Sequence, residues 1–275
     1  MKVISSLEDI KSLINDYKSD TAISLIPTMG NIHSGHIKLI NSASSSSLKI
    51  VSIYINELQF NDRNDYLNYP RTLTDDLSIC EENNVDLVFT PDDSVIRKQL
   101  DDDKPDLPKF TSYMCGANRP GHFSGVYRIV KFLFEILKPN YAYFGKKDFQ
   151  QILLIKYIAN TYFPKLKIID VDTVRDSNNI ALSSRLSKIS SASFHQVKLI
   201  FETLKEMKKK LLRGLDYNAI RESSLLELEN NNILVEYLDL RALDTLKEQA
   251  NINCPCGIFI ACYIDNIRLI DNIEI

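Results

Sequence analysis

The feature that most constrains the fold is an alternation of short β-rich runs with longer amphipathic segments between residues 22 and 174. The run at 49–55 is apolar throughout, as in a strand of a sheet that is covered on both faces. The predicted strands lie at 22–27, 49–55, 85–90, 141–145 and 166–174, and the predicted helices at 35–44, 72–84, 125–138 and 148–163. Alternating strands and helices indicate βαβ crossovers, so we expect an α/β domain with a parallel sheet.

The pattern changes after residue 173. The segments that follow are two predicted helices and then three predicted strands, at 191–213, 216–230, 233–243, 258–264 and 267–275. Helices followed by strands without alternation are typical of an α+β domain. We therefore predict two domains, residues 1–173 and a smaller one at 174–275.

Charge and apolar patterning exclude several classes of partner. The formal net charge is −3 and no basic face is evident, so we expect no nucleic-acid partner. Residues 1–20 lack the apolar core of a signal peptide, and no apolar run approaches the ~20 residues of a membrane span. We expect a cytosolic protein without a membrane partner.

The cysteines and one acidic run could be read as metal sites, but neither predicts one. The five cysteines are odd in number and scattered, so in the cytosol we expect thiols. Cys254 and Cys256 lack CxxC spacing and a second ligand pair. The acidic run at 101–103 is predicted to be a surface loop.

Scarce glycines and histidines gather in a few short places. The chain has eight glycines and four histidines, and the stretch 26–40 holds Gly30, Gly35, His33 and His36. The histidines straddle the start of the helix predicted after the first strand, where free N–H groups and the helix dipole attract phosphate. The alternatives are two surface histidines or an i, i+3 metal pair, for which no third ligand stands out.

Three further segments could contribute to an anion site. Residues 145–151 follow a predicted strand and open a helix with two lysines, while Asp148 could cap that helix or bind a ribose hydroxyl. A solvated lysine pair is the alternative. Residues 181–186 supply two hydroxyls and an arginine, a weak signal alone. Residues 118–126 place Arg119 and His122 in a turn-rich stretch. The sequence has neither a P-loop nor a GxGxxG motif.

Taken together and in this order, these segments resemble the pantothenate synthetases, members of the HxGH nucleotidylyl-transferase superfamily. The similarity covers nearly the whole chain, and its combined motifs are far more specific than HxGH alone. The matching stretches are PTMGNIHSGH (27–36), VSIYINELQF (51–60), YPRTLTDD (69–76), GANRPGHFSGV (116–126), FGKKDFQQ (144–151), VRDSNNIALSSR (174–185) and RLIDN (268–272).

The resemblance implies a Rossmann-like N-terminal domain, a smaller C-terminal domain acting as a lid, and a homodimer. The implied reaction is the ATP-dependent condensation of (R)-pantoate with β-alanine through a pantoyl adenylate, giving pantothenate, AMP and diphosphate. ATP would be a substrate, and Mg²⁺ would be bound mainly through its phosphates rather than at a site of the protein's own.

The resemblance also implies roles for individual residues. The ATP-binding set would be Met29, Gly30, Asn31, Ile32, His33, Ser34, Gly35, His36, Gly145, Lys146, Lys147, Asp148, Val174, Leu182, Ser183, Ser184 and Arg185. Pantoate and β-alanine would contact Gln59, Gln151, Asn56 and His122. Among these, His36 would be a proton donor and Lys147 would bind phosphate. With His33 and Arg185, these two residues form the predicted catalytic group.

The chain departs from the family pattern at three positions, one of which is Cys115, where an acidic residue is common before the GANRPGHF segment. Glu57 stands where the family's NPxQF stretch has proline, and Lys146 stands where its GEKD stretch has glutamate. Two other functions remain open from the residues: another HxGH adenylyltransferase, or a nucleotide-binding module without catalysis. The neutral side chains of Gln59 and Gln151 argue against the phosphorylated acceptor that the first alternative requires.

Overall fold

The computed structural model describes residues 1–17, 21–100 and 105–275, so the acidic run at 101–103 lies outside the described residues. The chain divides into two compact units. The first comprises Met1–Pro108, Arg119–Lys146 and Gln151–Asp172, and the second comprises Lys109–Asn118, Lys147–Gln150 and Thr173–Ile275. The predicted boundary between residues 173 and 174, and the lid role of the C-terminal domain, stay predictions.

A six-stranded sheet forms the centre of the first unit. Its strands are β1 (Lys2–Ile4), β2 (Ile23–Thr28), β3 (Leu48–Ile53), β4 (Leu87–Phe89), β5 (Tyr141–Gly145) and β6 (Lys167–Val171). They lie in the order β1-β4-β3-β2-β5-β6. Every neighbouring pair is parallel, which confirms the predicted α/β class.

The helices along the first 172 residues include those that the spacing predicted and several shorter ones. They are α1 (Leu7–Asp16), α2 (Ser34–Ser42), α3 (Arg63–Leu67), α4 (Leu73–Glu82), α5 (Asp93–Gln99), α6 (Met114–Asn118), α7 (His122–Leu137) and α8 (Phe149–Tyr162). The apolar face of α7 is buried because its apolar residues recur at helical spacing. Lys138 caps this helix in the left-handed conformation, and Pro139 follows it.

The second unit contains an antiparallel sheet with two helices before it in the chain. The helices are α9 (Phe194–Leu212) and α10 (Tyr217–Asn230), and the strands are β7 (Leu234–Ala242), β8 (Cys256–Ile264) and β9 (Ile267–Glu274). The strand order is β7-β8-β9. Leu204 and Met207 of α9 share one buried core with Ile258 and Ile260 of β8. This arrangement confirms the predicted α+β class of the C-terminal region.

A tight turn sets the register of the last two strands. Ile264 pairs with Ile267, so only Asp265 and Asn266 form the connection, and both have positive φ angles of 50° and 61°. Short polar residues tolerate this conformation, and such a turn matches the twist of an antiparallel pair.

Across the described ranges, no helix has both the length and the apolar character that crossing a membrane would require.

Candidate active site

Three neighbouring strands at the middle of the first sheet end beside the predicted site segments. The segment 29–36 follows β2, the segment 54–60 follows β3, and Gly145 closes β5. These strands are adjacent, in the order β3-β2-β5. The chain leaves β2 toward β3 and later returns to the other side of β2 as β5. Ligands of open α/β sheets bind at such a switch point, at the carboxyl ends of the strands.

His33 and His36 cap the start of α2 reciprocally. His33 is the N-cap residue, and its Nδ1 accepts a hydrogen bond from the backbone N–H of Gly35 at 3.1 Å. His36 Nδ1 accepts from the backbone N–H of His33 at 3.3 Å. The ring centroids lie 4.2 Å apart. The two histidines thus form a capping box, in which two side chains accept hydrogen bonds from backbone N–H groups at a helix start.

This capping fixes which ring nitrogen carries the proton. A nitrogen that accepts a hydrogen bond holds no proton, so each capping imidazole has its proton on Nε2. Both histidines are therefore donors through Nε2 without carrying a positive charge. The prediction that these residues donate to phosphate oxygens is compatible with this tautomer.

Gly35 leaves room for the capping ring of His33. A Cβ atom at position 35 would lie 2.8 Å from His33 Cε1 and 3.0 Å from its Nδ1. The ring could not keep its place over the helix start beside such an atom. The sequence predicted only that Gly35 allows close approach of phosphate to the backbone, so the capping ring is a second reason for glycine at this position.

Asp76 holds the loop that leads from β2 into α2, and sequence reasoning gave it no role. Its Oδ1 accepts from the backbone N–H of Ile32 at 2.7 Å, and its Oδ2 accepts from that of Asn31 at 3.0 Å. Gly30 and Asn31 have φ angles of 79° and 51°. The carboxylate is only 2% exposed. Its position four residues before the buried Cys80, on the inner face of α4, was an available signal.

Gln59 lies in a short 3-10 turn, Glu57–Gln59, that is fixed by buried contacts. Its Nε2 donates to Met29 Sδ at 2.7 Å, which joins the segments after β2 and β3. Asn56 is 1% exposed, and its Nδ2 donates to Gly125 O at 3.0 Å and to Gln59 Oε1 at 3.3 Å. The structure therefore brings together Met29, Asn56 and Gln59, which were predicted to contact substrates.

Arg119 and His122 hold the same turn from the start of α7. The carbonyl oxygen of Gln59 accepts from His122 Nδ1 at 2.7 Å and from Arg119 Nη2 at 3.0 Å. His122 is buried, and its Nδ1 carries the proton because its partner is a carbonyl oxygen. This geometry positions Gln59. Direct substrate binding by His122 stays a prediction.

Lys146, the lysine that replaces the family's glutamate, forms an ion pair within the first unit. Its Nζ lies 3.0 Å from Asp172 Oδ1. The hydrogen bond and charge of Lys146 lower the pKa of the Asp172 carboxyl, with a smaller contribution from Lys38. The added positive charge is therefore balanced by a carboxylate just beyond β6.

Lys147 links two predicted ATP-binding segments within the second unit. Its Nζ donates to the carbonyl oxygen of Leu182 at 3.1 Å, and its own carbonyl oxygen accepts from Asn272 Nδ2 at 3.0 Å. Asp148 is the exposed last residue of the 3-10 turn Lys146–Asp148. Gln151 lies half-buried in the first turn of α8, in the first unit.

An anchored loop carries Val174 and residues 182–185. Leu182 N donates to Val174 O at 3.0 Å, and Arg175 and Ala181 form an antiparallel bridge. The guanidinium of Arg175 contacts both oxygens of Asp271 at 2.7 Å and lies 3.5 Å from the centre of the Phe201 ring. Sequence reasoning assigned no role to Arg175 or Asp271, although the stretch 268–272 matched the family.

The hydroxyls and arginine at the end of this loop form a compact turn. Ser183 Oγ accepts from the backbone N–H of Arg185 at 3.3 Å, and Ser184 O accepts from Ser187 Oγ at 3.3 Å. Arg185 precedes the 3-10 turn Leu186–Lys188. Among the described residues, no group of three or more His, Cys, Asp or Glu side chains is placed to hold a metal ion.

Comparison with known proteins assigns the family. A family model described as pantoate-beta-alanine ligase matches residues 2–274. The chain belongs to this ligase family. A pantothenate synthetase of Leptospira biflexa is 37% identical over 278 residues, which cover 99% of this chain and 98% of that protein. Another, from Shewanella loihica, is 34% identical and covers 100% of this chain and 99% of that protein.

Solved structures agree with the sequence matches to pantoate–β-alanine ligases. The pantothenate synthetase of Thermus thermophilus has a TM-score of 0.88 at 28% identity, with 100% of this chain and 99% of that chain covered. The ligase of Francisella tularensis, complexed with beta-gamma ATP and β-alanine, has a TM-score of 0.82 at 32% identity, covering 100% and 97%. The predicted resemblance is confirmed. The chain is an enzyme of this ligase family, and its reaction is the ATP-dependent joining of pantoate to β-alanine.

Proposed function

We propose that this ligase works through a pantoyl adenylate, with the residues at the ends of β2, β3 and β5 at the centre of the site. In the first step the pantoate carboxylate attacks the α-phosphorus of ATP, and diphosphate leaves. In the second step the amine of β-alanine attacks the acyl carbon, AMP leaves, and the amine loses a proton. The reciprocal capping of His33 and His36 beside the strand ends is the observation that supports this proposal most.

The first step brings two anions together, so the site has to supply alignment and hydrogen-bond donors. The start of α2 offers backbone N–H groups and the positive end of the helix dipole. His33 and His36 add Nε2 donors, and their rings are held in place by the caps they form. We assign His36 the donor role toward the departing diphosphate, with His33 beside it.

The remaining ATP contacts are assigned as the resemblance implies. An ammonium has three donors, and the carbonyl oxygen of Leu182 takes one donor of Lys147. We propose that Lys147 and Arg185 contact phosphate oxygens. The nucleotide would also contact the loop from Met29 to His36 together with Gly145, Lys146, Asp148, Val174, Leu182, Ser183 and Ser184.

Pantoate recognition is assigned to neutral amides. Hydrogen bonds to Met29 and Asn56 hold the Gln59 side chain in place. We propose that Gln59 binds pantoate together with Gln151. An amide offers both a donor and an acceptor, so it can recognise a hydroxyl and a carboxylate without forming an ion pair. The acceptor in this reaction carries no phosphate, which suits neutral side chains.

Mg²⁺ would enter as the complex with ATP. The donor set at the start of α2 consists of N–H groups and imidazoles, which fits phosphate oxygens directly and fits Mg²⁺ only through the nucleotide. When bound, the ion would neutralise phosphate charge.

We further propose a cytosolic homodimer. Light scattering of the purified protein would compare its mass with the 31.5 kDa of one chain.

Two assays test the proposal. AMP should form when ATP, pantoate and β-alanine are all present, and should not form when either pantoate or β-alanine is omitted. With pantoate but without β-alanine, labelled diphosphate should exchange into ATP, because the adenylate step is reversible. AMP formation without pantoate, or exchange without it, would contradict the mechanism. ATP binding with no turnover at saturating substrates would instead support a nucleotide-binding module.

A further inference from the structure

Glu57 begins the turn that carries Gln59, and its side chain is paired across 40 residues of sequence. Its Oε2 contacts Arg97 Nη2 on α5. Arg97 Nε contacts Asp93 Oδ2 at 2.5 Å, and Asp93 Oδ1 accepts from the Tyr54 hydroxyl at 2.7 Å. Four side chains thus form a continuous line of hydrogen bonds from the turn, through α5, back to the end of β3.

The far end of this line is firmly anchored. Tyr54 is 8% exposed, and its backbone N–H donates to the carbonyl oxygen of Thr28, the last residue of β2. Burial and the hydrogen bond to Asp93 both raise the pKa of the Tyr54 hydroxyl, so it remains a donor throughout the range of any assay. The partly exposed turn is therefore tied to two central strands of the sheet.

The turn also needs this pairing for electrostatic reasons. A carboxylate two residues from Gln59 would repel a carboxylate substrate if it were left alone. Arg97 compensates part of that charge and is shared with Asp93, so the three side chains together carry one net negative charge. The pair thus both restrains the turn and weakens a repulsive charge beside it.

We propose that the Glu57–Arg97 pair is the restraint that keeps Gln59 in position for pantoate, which makes both paired residues positioning residues. The inference rests on the proposed assignment of Gln59 to pantoate. It predicts that the pair affects the KM for pantoate and leaves the KM for ATP and kcat nearly unchanged, because neither charge contacts the reacting atoms.

A double-mutant cycle and a proline rescue test this role. Arg97→Ala and Glu57→Ala should each raise the KM for pantoate by about threefold to fivefold, the range that one exposed ion pair can supply. The double variant should be no worse than Arg97→Ala, because both changes remove the same interaction.

Glu57→Pro should replace the restraint by a covalent one. Proline fixes φ and is tolerated at the first position of a helical turn. Asn56, which precedes it, has φ −80° and ψ 104°, the extended backbone that a residue before proline prefers. We therefore expect Glu57→Pro combined with Arg97→Ala to keep a KM for pantoate within about twofold of the parent, since proline restrains the turn and removes the carboxylate beside it.

A matched control and an independent readout separate the possible failures. Lys198→Ala removes an exposed ion pair of α9, Lys198–Glu202, and should change neither KM. Hydrogen exchange of the amides in 56–60 should be faster in Arg97→Ala and slow again with Glu57→Pro. Unchanged exchange in Arg97→Ala, or effects of Glu57→Ala and Arg97→Ala that multiply, would overturn the restraint. Faster exchange with an unchanged KM would overturn the assignment of Gln59 to pantoate, and the positioning role with it.

Discussion

The Asp76 carboxylate on α4 accepts hydrogen bonds from the backbone N–H groups of Ile32 and Asn31, which lie 44 and 45 residues earlier in the chain. The Thr72 hydroxyl donates to the same carboxylate at 3.2 Å. A Cβ atom on Gly30 would lie 2.9 Å from Asp76 Oδ2, so the glycine and the carboxylate fit each other closely. The buried Asp76 carboxylate therefore holds the loop that presents the two histidines.

Asp76→Asn should weaken both the fold and catalysis. The amide keeps the volume but turns an NH₂ group toward a backbone N–H that has lost its acceptor. Leaving one such buried donor without a partner costs about 1–3 kcal/mol of unfolding free energy. We expect turnover to fall by about tenfold or more as the histidine loop shifts. Urea unfolding and AMP formation measure the two effects.

Asp75→Asn is the matched control for Asp76. Asp75 lies in the same first turn of α4 but is exposed, so its substitution removes an equal charge from the helix start. Its unfolding free energy and turnover should stay close to those of the parent. Equal losses in the two variants would mean that helix charge, rather than the hydrogen bonds to the loop, explains the effect.

The main elements of the fold could be predicted because the helices bury one regular face and the central strands are continuous apolar runs. The strand Ile23–Thr28 was predicted at 22–27, and the helix Phe194–Leu212 at 191–213. The strand Lys2–Ile4 and the helix Arg63–Leu67 were not predicted, since three and five residues are too few to show a period. Both depend on contacts with neighbours that the sequence does not reveal.

The candidate site was also predictable in part, from two different signals. Clustering of scarce residues located His33 and His36, and similarity of the motifs located Gln59. The contacts that hold them could not be predicted, because Asp76 and His122 act through long-range hydrogen bonds to backbone atoms. Such contacts leave no periodic pattern in the chain.

His36→Asn should separate the capping role of His36 from its donor role. An asparagine oxygen can replace Nδ1 as the acceptor for the His33 N–H, but the residue has no group in the place of Nε2. We expect the melting temperature to change by only a few degrees and turnover to fall by about 10²-fold or more, as loss of a transition-state donor does. Thermal unfolding and steady-state kinetics test this.

Two further variants check the interpretation of His36. His36→Ala also removes the cap acceptor, so it should lose about 1 kcal/mol more stability than His36→Asn. His195→Ala changes an exposed histidine in the first turn of α9 and should leave the kinetics unchanged. A loss below about threefold in His36→Asn would contradict the donor role. A large kinetic defect in His195→Ala would mean that the site lies elsewhere.

Gly125→Ala should destabilise the protein although alanine favours helices. A Cβ atom at this position of α7 would lie 2.4 Å from Leu58 O and 2.7 Å from Gln59 N. The helix and the turn would have to separate, and overpacking of this kind costs about 1–3 kcal/mol. Ser124→Ala, one residue earlier on the same helix, is the control. A Gly125→Ala protein as stable as the parent would show that the turn can yield freely.

Thiol reactivity should distinguish Cys254 from the other four cysteines. Cys254 is exposed, whereas Cys80, Cys115, Cys256 and Cys262 are buried. Burial raises the pKa of the Cys80 and Cys262 thiols to about 12 and that of Cys256 to about 11. The thiolate is the reactive form, so at pH 8 these groups are shielded both by burial and by protonation.

A thiol-specific disulfide reagent at pH 8 should therefore modify one cysteine rapidly in the folded enzyme and all five after unfolding. Cys254→Ser should abolish the rapid phase. Modification of Cys254 should leave AMP formation unchanged, because neither step of the proposed reaction uses an enzyme nucleophile. A second rapid thiol in the Cys254→Ser protein would contradict the burial of the others, and loss of turnover on modification would contradict the absence of a role for Cys254.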